Sequence, residues 1–318
     1  MFSLMSLVWM NGMVALASAQ TPAAPPKAVL EVFTSVQAIA PGAEFQLALR
    51  FKLQPDWHIY WADPGDAGRP PRIKLNAPEG FIAGPLQFPV PTRHVAQGPL
   101  STNILLGQPI LLMDIKAPAD LPKGDKLNFE VEASWVICKE NCLFESQKVT
   151  MALPVTATAT PTPANIEIFA QAKATHPARE SDALKVIPSL STDKLTAGDS
   201  FELVLQLIVP DGMAIAAHEG SAPTAKPLDV FIMPTQFVTF SAPIFPDPRT
   251  RKAADASSIS EYLGRIFLRI PAKLDPKASA PPTTFEGIVT FQPYNEKSGK
   301  YLEPQALSWS LTVPAPGT

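Results

Sequence analysis

Two stretches of the chain have large apolar residues at every second position, and a constant offset separates them. In the first stretch the apolar positions are Phe45, Leu47, Leu49, Phe51 and Leu53. Adding 156 to each number gives the apolar positions of the second stretch, Phe201, Leu203, Leu205, Leu207 and Val209. A period of two residues is typical of a β-strand with one buried face. The pattern therefore predicts two related strands.

Two further pairs of apolar patterns repeat at nearly the same offset. The alternating positions Leu127, Phe129, Val131, Ala133 and Trp135 have a counterpart that contains Phe285, Gly287, Val289 and Phe291. The third pair consists of Val149, Met151 and Leu153 and of Leu307, Trp309 and Leu311. Its offset is 158, so the preceding loop is two residues longer in the second copy. Three pairs in the same order predict a duplicated β domain.

Composition and turn spacing favour a β-sandwich in each copy. The chain has 36 prolines among 318 residues, and proline is poorly tolerated inside helices and central strands. Short strands with turn signals every ten or so residues are typical of antiparallel sandwiches. We therefore predict an all-β protein with two tandem antiparallel β-sandwich domains, at residues 27–155 and 183–314.

The segment between the two copies, residues 156–182, is predicted to be a linker with a short helix. The run from Thr156 to Pro163 is rich in threonine, alanine and proline, as linkers are. The spacing of Ile166, Phe169, Ala170 and Lys173 then predicts a short amphipathic helix that ends before Pro177.

Residues 1–19 are typical of a signal peptide for export. The stretch from Leu4 to Leu16 is mostly apolar, and Ala17-Ser18-Ala19 forms a small-residue cleavage site before Gln20. No later stretch reaches the roughly 18 apolar residues of a membrane span. We therefore expect a soluble, exported protein that does not itself span a membrane after cleavage, in a compartment that permits disulfides.

The charge balance argues against nucleic-acid binding. The chain has 26 Lys and Arg against 29 Asp and Glu, which gives a formal net charge of −3. Binding to nucleic acid depends on a basic patch or stripe that neutralises phosphates, and the sequence has none. We also find no nucleotide-binding loop, catalytic triad order or zinc-ligand spacing, so we expect no cofactor and no metal.

The two cysteines of the chain, Cys138 and Cys142, lie four residues apart at the end of an alternating strand. A hairpin can bring such residues within disulfide distance. Closing so short a loop stabilises the fold by about 2 kcal/mol, against ~4.7 kcal/mol for a loop of about 100 residues. The second copy has Tyr294 and, beside Lys300, Tyr301 at the corresponding places. Redox exchange, a structural disulfide and metal ligation all stay open, with redox exchange favoured.

Several residues around the cysteines are candidates for supporting or docking roles. They are Trp57, His58, Tyr60, Trp61, Trp135, Lys139 and Glu140. The aromatic residues fit either core packing or a docking surface near the thiols. Lys139 can lower the pKa of a neighbouring thiolate, whereas Glu140 and Glu145 oppose that effect. His58 and His94 are each isolated in sequence, which makes them weak candidates for metal ligands or proton carriers.

Three segments together resemble a known family. They are Asp56-Trp57-His58-Ile59-Tyr60-Trp61-Ala62-Asp63-Pro64-Gly65-Asp66-Ala67-Gly68, Phe88-Pro89-Val90-Pro91 and Trp135-Val136-Ile137-Cys138-Lys139-Glu140-Asn141-Cys142. They are similar to the periplasmic N-terminal region of DsbD-type thiol:disulfide interchange proteins, particularly the ScsB-like branch. The segment from Phe291 to Pro304 resembles a second family motif that normally carries two cysteines, at the places of Tyr294 and Tyr301.

The resemblance implies an immunoglobulin-like sandwich whose cysteine pair relays electrons to thioredoxin-fold periplasmic proteins. By that analogy Cys142 attacks the partner disulfide and Cys138 resolves the mixed disulfide. The sequence contains neither the membrane domain nor the thioredoxin-like domain of such proteins. We therefore expect either that a separate membrane electron-transfer protein supplies the reductant or that the sequence is a truncated form of a longer membrane protein. Relatives can shield the disulfide with an aromatic-bearing loop, and the corresponding stretch, Thr92 to Asn103, has no aromatic residue.

Two other functions fit the sequence. The first is a non-enzymatic tandem β-sandwich that binds a partner and has a structural disulfide. The second is a periplasmic copper-binding protein that uses the two thiolates with a methionine or histidine as soft ligands.

Overall fold

The computed structural model describes residues 25–95, 100–121, 126–252 and 257–313. The predicted signal peptide at residues 1–19 lies outside these ranges.

The first half of the chain forms eleven strands and a short twelfth strand that begins the connection to the second half. They are β1 (Ala28–Thr34), β2 (Val36–Ala38), β3 (Glu44–Leu53), β4 (His58–Gly65), β5 (Arg72–Asn76), β6 (Ile82–Gln87), β7 (Thr92–Val95), β8 (Ser101–Leu106), β9 (Ile110–Lys116), β10 (Lys126–Cys138), β11 (Cys142–Pro154) and β12 (Thr160–Pro161). A 3-10 turn at Pro163–Asn165 leads into helix α1 (Ile166–Thr175).

The second half forms twelve strands. They are β13 (Lys185–Leu190), β14 (Ser200–Ile208), β15 (Met213–Ala216), β16 (Asp229–Ile232), β17 (Val238–Phe240), β18 (Arg249–Lys252), β19 (Ser258–Tyr262), β20 (Arg265–Leu274), β21 (Thr284–Phe291), β22 (Pro293–Asn295), β23 (Lys300–Tyr301) and β24 (Gln305–Thr312).

Each half consists of antiparallel sheets, and the strand order is repeated. In the first half one sheet has the order β1-β3-β9-β6, and the other has the order β11-β10-β4-β8-β7 with β5 also paired to β10. The second half repeats the first sheet as β13-β14-β20-β17. The second sheet of the first half corresponds to two separate sheets in the second half, with the orders β18-β19-β15-β22-β23 and β16-β21-β24. The prediction of two tandem immunoglobulin-like antiparallel sandwiches is therefore confirmed, whereas the predicted domain limits stay predictions.

The repeated strands build two apolar cores, as the alternation predicts. Phe45, Leu47, Leu49 and Phe51 of β3 are buried in the first core together with Trp61 and Trp135. Phe201, Leu203, Leu205 and Leu207 of β14 are buried in the second core together with Phe285 and Phe291. Because alternate side chains of a strand point to opposite faces, each strand contributes one row to its core.

The predicted helix is present, and its buried face is shifted from the predicted one: Phe169 packs against the first half as predicted, together with Ile168 and Ala172. Ala172 of α1 is fully buried against Ala48, Ile110 and Leu112, whereas Ile166 is 63% exposed. The helix thus covers the outer face of the sheet that contains β3 and β9, which explains why Ala48 is buried on the side that the alternation predicts to be polar. The connecting segment is consequently attached to the first half, where β12 also pairs with β2.

Candidate active site at a hairpin end

The two cysteines face each other at the end of the longest hairpin. Strands β10 and β11 each have 13 residues, and their register ends with Cys138 opposite Cys142. The two residues form a disulfide across a Cα–Cα distance of 4.1 Å. The inward positions of β10, including Trp135 and Ile137, anchor the hairpin in the first core. The disulfide is therefore fixed by a long, well-buried ladder just before the turn.

The two sulfur-bearing residues differ in solvent exposure. Cys138 is only 3% exposed and packs in a small cluster with Tyr60 and Ile104. Cys142 is exposed at the start of β11. An incoming thiolate must approach one sulfur along the S–S axis, so the two sulfurs are not equally available to a partner.

The hydroxyl of Tyr60 lies next to both sulfurs. It donates a hydrogen bond to Cys138 Sγ at 3.2 Å and lies 4.0 Å from Cys142 Sγ. Tyr60 is 5% exposed, and burial raises the pKa of its phenol, which keeps the O–H group protonated as a donor. A donor at this position favours a negative charge on the Cys138 sulfur, because hydrogen bonds to ionised groups are the strong ones.

A turn with two positive-φ glycines holds Tyr60 in place. Gly68 has φ +99°, and a Cβ built on it would lie 2.2 Å from the Tyr60 ring. Gly65 has φ +77°, and a Cβ there would lie 2.5 Å from the carbonyl oxygen of Ser101. Both positions require glycine because of backbone conformation and space. The contact between Gly68 and the Tyr60 ring was not predicted from the sequence.

Two histidines flank the disulfide on the same face of the sheet. His58 is the register partner of Cys138 across β4 and β10. Its ring lies 5.5 Å from that of Tyr60 and 5.9 Å from that of His94, which β7 supplies. Burial, with a smaller contribution from His94, lowers the pKa of His58. The proximity of His58 and His94 was not predicted, because 36 residues separate them in the sequence.

The charged candidates lie around the turn. The Lys139 ammonium is paired with Asp56 at 2.9 Å, and Asp56 has a positive φ of 67°. Glu140 is exposed. The Glu145 carboxylate instead accepts backbone N–H groups from Lys27 and Ala28 and the indole N–H of Trp135. Glu145 therefore ties the first strand to the hairpin.

The three candidate tryptophans are buried or half-buried. Trp61 and Trp135 are 0% and 2% exposed, so they lie behind the site in the core. The indole of Trp61 donates to the carbonyl oxygen of Pro89 at 2.9 Å. Trp57 is half-buried, with the Lys27 ammonium 5.7 Å from its ring centroid. These residues support the strands of the site from the core side.

Exposed apolar side chains lie on the same face of the sheet as the disulfide. Phe144 is 74% exposed and follows Cys142 by two residues on the same strand, so it lies on the same face. Leu106, the register partner of His58, is 50% exposed. Exposed apolar groups next to a reactive bond are typical of a surface that contacts another protein.

The second half has tyrosines at the positions of the cysteines. Tyr294 and Tyr301 are register partners in β22 and β23, with ring centroids 5.1 Å apart. Ala214 pairs with Tyr294 just as His58 pairs with Cys138. The Arg251 guanidinium lies 4.3 Å from the centre of the Tyr294 ring. The corresponding place in the second half is therefore filled by aromatic and ionic groups.

The described residues contain no group of three or more His, Cys, Asp or Glu side chains that could hold a metal ion. Within the same ranges, no helix is long and apolar enough to cross a membrane.

A disulfide between a buried and an exposed cysteine, at the end of a sandwich hairpin, is suited to thiol–disulfide exchange because one sulfur is open to an incoming thiolate. Residues 27–169 match the family described as "Thiol:disulfide interchange protein DsbD, N-terminal". This part of the chain is accordingly similar to the N-terminal region of DsbD-type thiol:disulfide interchange proteins.

Solved structures of two related domains are similar to the chain. The N-terminal periplasmic domain of ScsB from Proteus mirabilis is 15% identical, with a TM-score of 0.49, and the match covers 93% of this chain and 97% of that one. The reduced DsbD N-terminal domain from Neisseria meningitidis is 14% identical, with a TM-score of 0.26, over 40% of this chain and 84% of that one. A comparison with curated protein sequences gives no match.

Proposed function

We propose that the protein is an exported thiol:disulfide oxidoreductase of the periplasm that relays reducing equivalents through Cys138 and Cys142 to a thioredoxin-fold partner. The observation that carries the proposal is the unequal exposure of the two cysteines, with Cys142 exposed and Cys138 3% exposed. A partner can reach one sulfur, while the other is protected until an exchange is under way.

The reaction starts from the reduced protein. The Cys142 thiolate attacks one sulfur of the partner disulfide, and the second partner sulfur leaves as a thiolate. The Cys138 thiolate then attacks Cys142 Sγ and breaks the mixed disulfide. The partner departs with two reduced sulfurs that take up two protons, and the Cys138–Cys142 disulfide is formed again. Two electrons have passed to the partner.

Tyr60 supports the resolving step of this reaction. Its O–H group lies 3.2 Å from Cys138 Sγ and stabilises the Cys138 thiolate that must attack. The same hydrogen bond favours reduction of the Cys138–Cys142 disulfide after each cycle. A donor thiolate that attacks Cys142 Sγ expels Cys138 as the leaving thiolate, and Tyr60 stabilises that thiolate. In our proposal a separate membrane electron-transfer protein supplies the two electrons for that step.

The second half of the chain supports a reactive role for the disulfide over a purely structural one. It repeats the strand order of the first half and pairs Tyr294 with Tyr301 where the first half pairs two cysteines. The same sandwich is therefore built without a disulfide. In the first half, the disulfide closes a five-residue loop and therefore adds only about 2 kcal/mol to the stability of the sandwich.

The test uses single-cysteine variants and an oxidised thioredoxin-fold disulfide isomerase as the partner. We expect Cys138→Ser to accumulate a mixed disulfide through Cys142, because the resolving thiol is missing. We expect Cys142→Ser to form none, because Cys138 is buried. Non-reducing electrophoresis and intact mass measure the adduct, and the double Cys→Ser variant is the control. Equal trapping by both single variants, or by neither, contradicts the proposal.

The reduction potential separates the proposal from the structural alternative. Equilibration with glutathione, alkylation and intact mass should give a value between about −180 and −270 mV, the range of exchange proteins. A value below about −300 mV indicates a structural disulfide and favours the binding-module function. Stoichiometric Cu(I) binding that disappears in the double Cys→Ser variant would instead favour the copper-binding function.

A further inference from the structure

Strand β16 of the second half belongs to two cores at once. Val230 and Ile232 are buried in the second core, whereas Phe231 between them is buried in the first. Ile288, the register partner of Phe231 in β21, is also in the first core. Because alternate side chains point to opposite faces, one face of this sheet closes its own sandwich and the other closes the neighbouring one.

The shared contact lies directly behind the disulfide site. The rings of Phe231 and Trp61 are 5.8 Å apart in an edge-to-face arrangement. Trp61 follows Tyr60 in β4, so it points into the core from the strand whose opposite face carries Tyr60 and His58. The second half therefore supports β4 from the rear.

A fixed ion pair connects the second half to strand β7. Arg93 donates from Nε to Asp229 Oδ2 at 2.7 Å and from Nη2 to Asp229 Oδ1 at 2.9 Å. Its Nη2 also donates to the carbonyl oxygen of Val230 at 3.1 Å, and the guanidinium lies 4.9 Å from the centre of the Phe231 ring. The Asp229 side chain is 15% exposed. Such a two-point pair fixes orientation as well as distance.

Strand β7 connects this pair to the disulfide site. It has four residues, lies at the edge of its sheet, and all four side chains are exposed. Arg93 and His94 point to opposite faces, so the strand that contacts Asp229 presents the His94 ring 5.9 Å from His58. Thr92 pairs with Ile104, which buries Cys138 together with Tyr60.

We propose that the second half of the chain positions the disulfide site, with Arg93, Asp229 and Phe231 as positioning residues that keep Cys138 buried while Cys142 stays open. The pair holds β7 against β8, and Phe231 holds β4, so that Tyr60 and Ile104 cover the resolving cysteine. The half without cysteines thereby determines which sulfur a thiol reaches. That this arrangement helps thiol–disulfide exchange rests on the proposed function. The difference in exposure between Cys138 and Cys142 does not depend on that function.

The experiment measures alkylation of one cysteine at a time. In a Cys142→Ser background, iodoacetamide reports the accessibility of Cys138, and rates across pH are corrected for the thiolate fraction. We expect Asp229→Asn and Arg93→Gln to accelerate alkylation of Cys138 by about three- to tenfold, the range expected for loss of a coupled contact. In a Cys138→Ser background the same substitutions should leave the rate at Cys142 unchanged.

The chain offers a matched control for the ion pair. Arg50 binds Glu31 through Nε at 2.8 Å and Nη2 at 2.6 Å, and its guanidinium lies 5.0 Å from the centre of the Phe33 ring. This pair has the same chemistry but lies between β1 and β3 in the other sheet. Arg50→Gln should therefore leave alkylation of Cys138 unchanged.

Two further variants separate positioning from general loss of stability. The exchanged pair Arg93→Asp with Asp229→Arg should restore slow alkylation of Cys138. Phe231→Leu, a milder change in the shared core, should accelerate it. Unchanged rates in Asp229→Asn, or equal acceleration in Arg50→Gln or at Cys142, would overturn the proposal. Failure of Cys138→Ser to trap a partner would count against the proposed function alone, because the alkylation rates involve no partner.

Discussion

The hydroxyl of Tyr60 and the sulfur of Cys138 are 3.2 Å apart although 78 residues separate them in the chain. The contact exists because β4 and β10 are neighbours, with His58 opposite Cys138, so that Tyr60 emerges two residues further along on the same face. A buried phenol whose pKa is raised is a dependable donor to a sulfur that becomes charged. This relationship leads to the first prediction.

Tyr60→Phe should raise the pKa of the Cys138 thiol. The substitution removes the donor but keeps the ring, and a hydrogen bond to a charged group contributes about 1.5–3 kcal/mol. Resolution of the mixed disulfide should slow by about three- to twentyfold, because the smaller thiolate fraction is partly offset by the higher nucleophilicity of a thiolate with a raised pKa. The pH profile of Cys138 alkylation in a Cys142→Ser background measures the change. Tyr262→Phe, which removes a buried hydroxyl bonded to Pro246 in the second half, should leave that profile unchanged.

Gly68→Ala should destabilise the protein and disturb the same tyrosine. The new methyl group would lie 2.2 Å from the Tyr60 ring, and the backbone has φ +99°. We expect a loss of about 2–4 kcal/mol in the free energy of unfolding from strain and overpacking together. Gly107→Ala is the control, because Gly107 has φ +70° but no atom within 4 Å of its added Cβ. Urea unfolding should show a clearly smaller loss there, and equal losses would mean that the contact with Tyr60 is unimportant.

Stability should fall in mild acid, and His58 should contribute to the fall. Burial and His94 lower the pKa of His58 in the folded state, so the unfolded chain binds a proton more readily. The stabilising contribution is therefore present above the unfolded pKa of about 6.5 and is lost as pH falls through the folded pKa. His176, whose pKa is lowered by burial, contributes with the same sign. Urea unfolding at several pH values should show a smaller pH dependence in His58→Gln than in the unmodified protein; an unchanged dependence contradicts the prediction.

Glu261→Gln should destabilise the second half without altering exchange at the first. Glu261 is 0% exposed and binds both Arg249 and Arg251, the latter at 2.9 Å. Removing its charge leaves Arg251 without its carboxylate partner and Arg249 with Glu296 alone, which costs about 2–3 kcal/mol. Glu296→Gln, at the exposed end of the same network, should cost less than about 1 kcal/mol. Urea unfolding measures both losses, and glutathione exchange at Cys142 should have the same rate in both variants.

The features that were predicted from the sequence are those that depend on residues close together in the chain. Alternation over Phe45–Leu53 and its repeat identified the strands and the duplication, because a half-buried strand imposes a period of two on its own residues. The four-residue spacing of Cys138 and Cys142 was compatible with a disulfide at a hairpin end, but it left metal ligation open as well. Helix α1 was also predicted, although the sheet residue that it buries, Ala48, could not be identified without knowing where the helix lies.

The features of the site that the sequence did not predict depend on contacts between strands that are distant in the chain. Gly68 covers Tyr60 because a turn folds back over the sheet, and His94 reaches His58 because β7 and β8 pair. Arg93 and Asp229 are separated by 136 residues and belong to different copies of the repeat. A pattern within one copy contains no information about such a pair, so these positioning contacts were missed.

The placement of Phe231 in one core and of Val230 in the other also determines how the molecule comes apart. Opening the second sandwich withdraws Phe231 and Ile288 from the first, and opening the first exposes the same two side chains to water. Neither half can lose its packing without removing apolar burial from the other. The shared contact therefore couples the stability of the two sandwiches despite the duplication in the sequence.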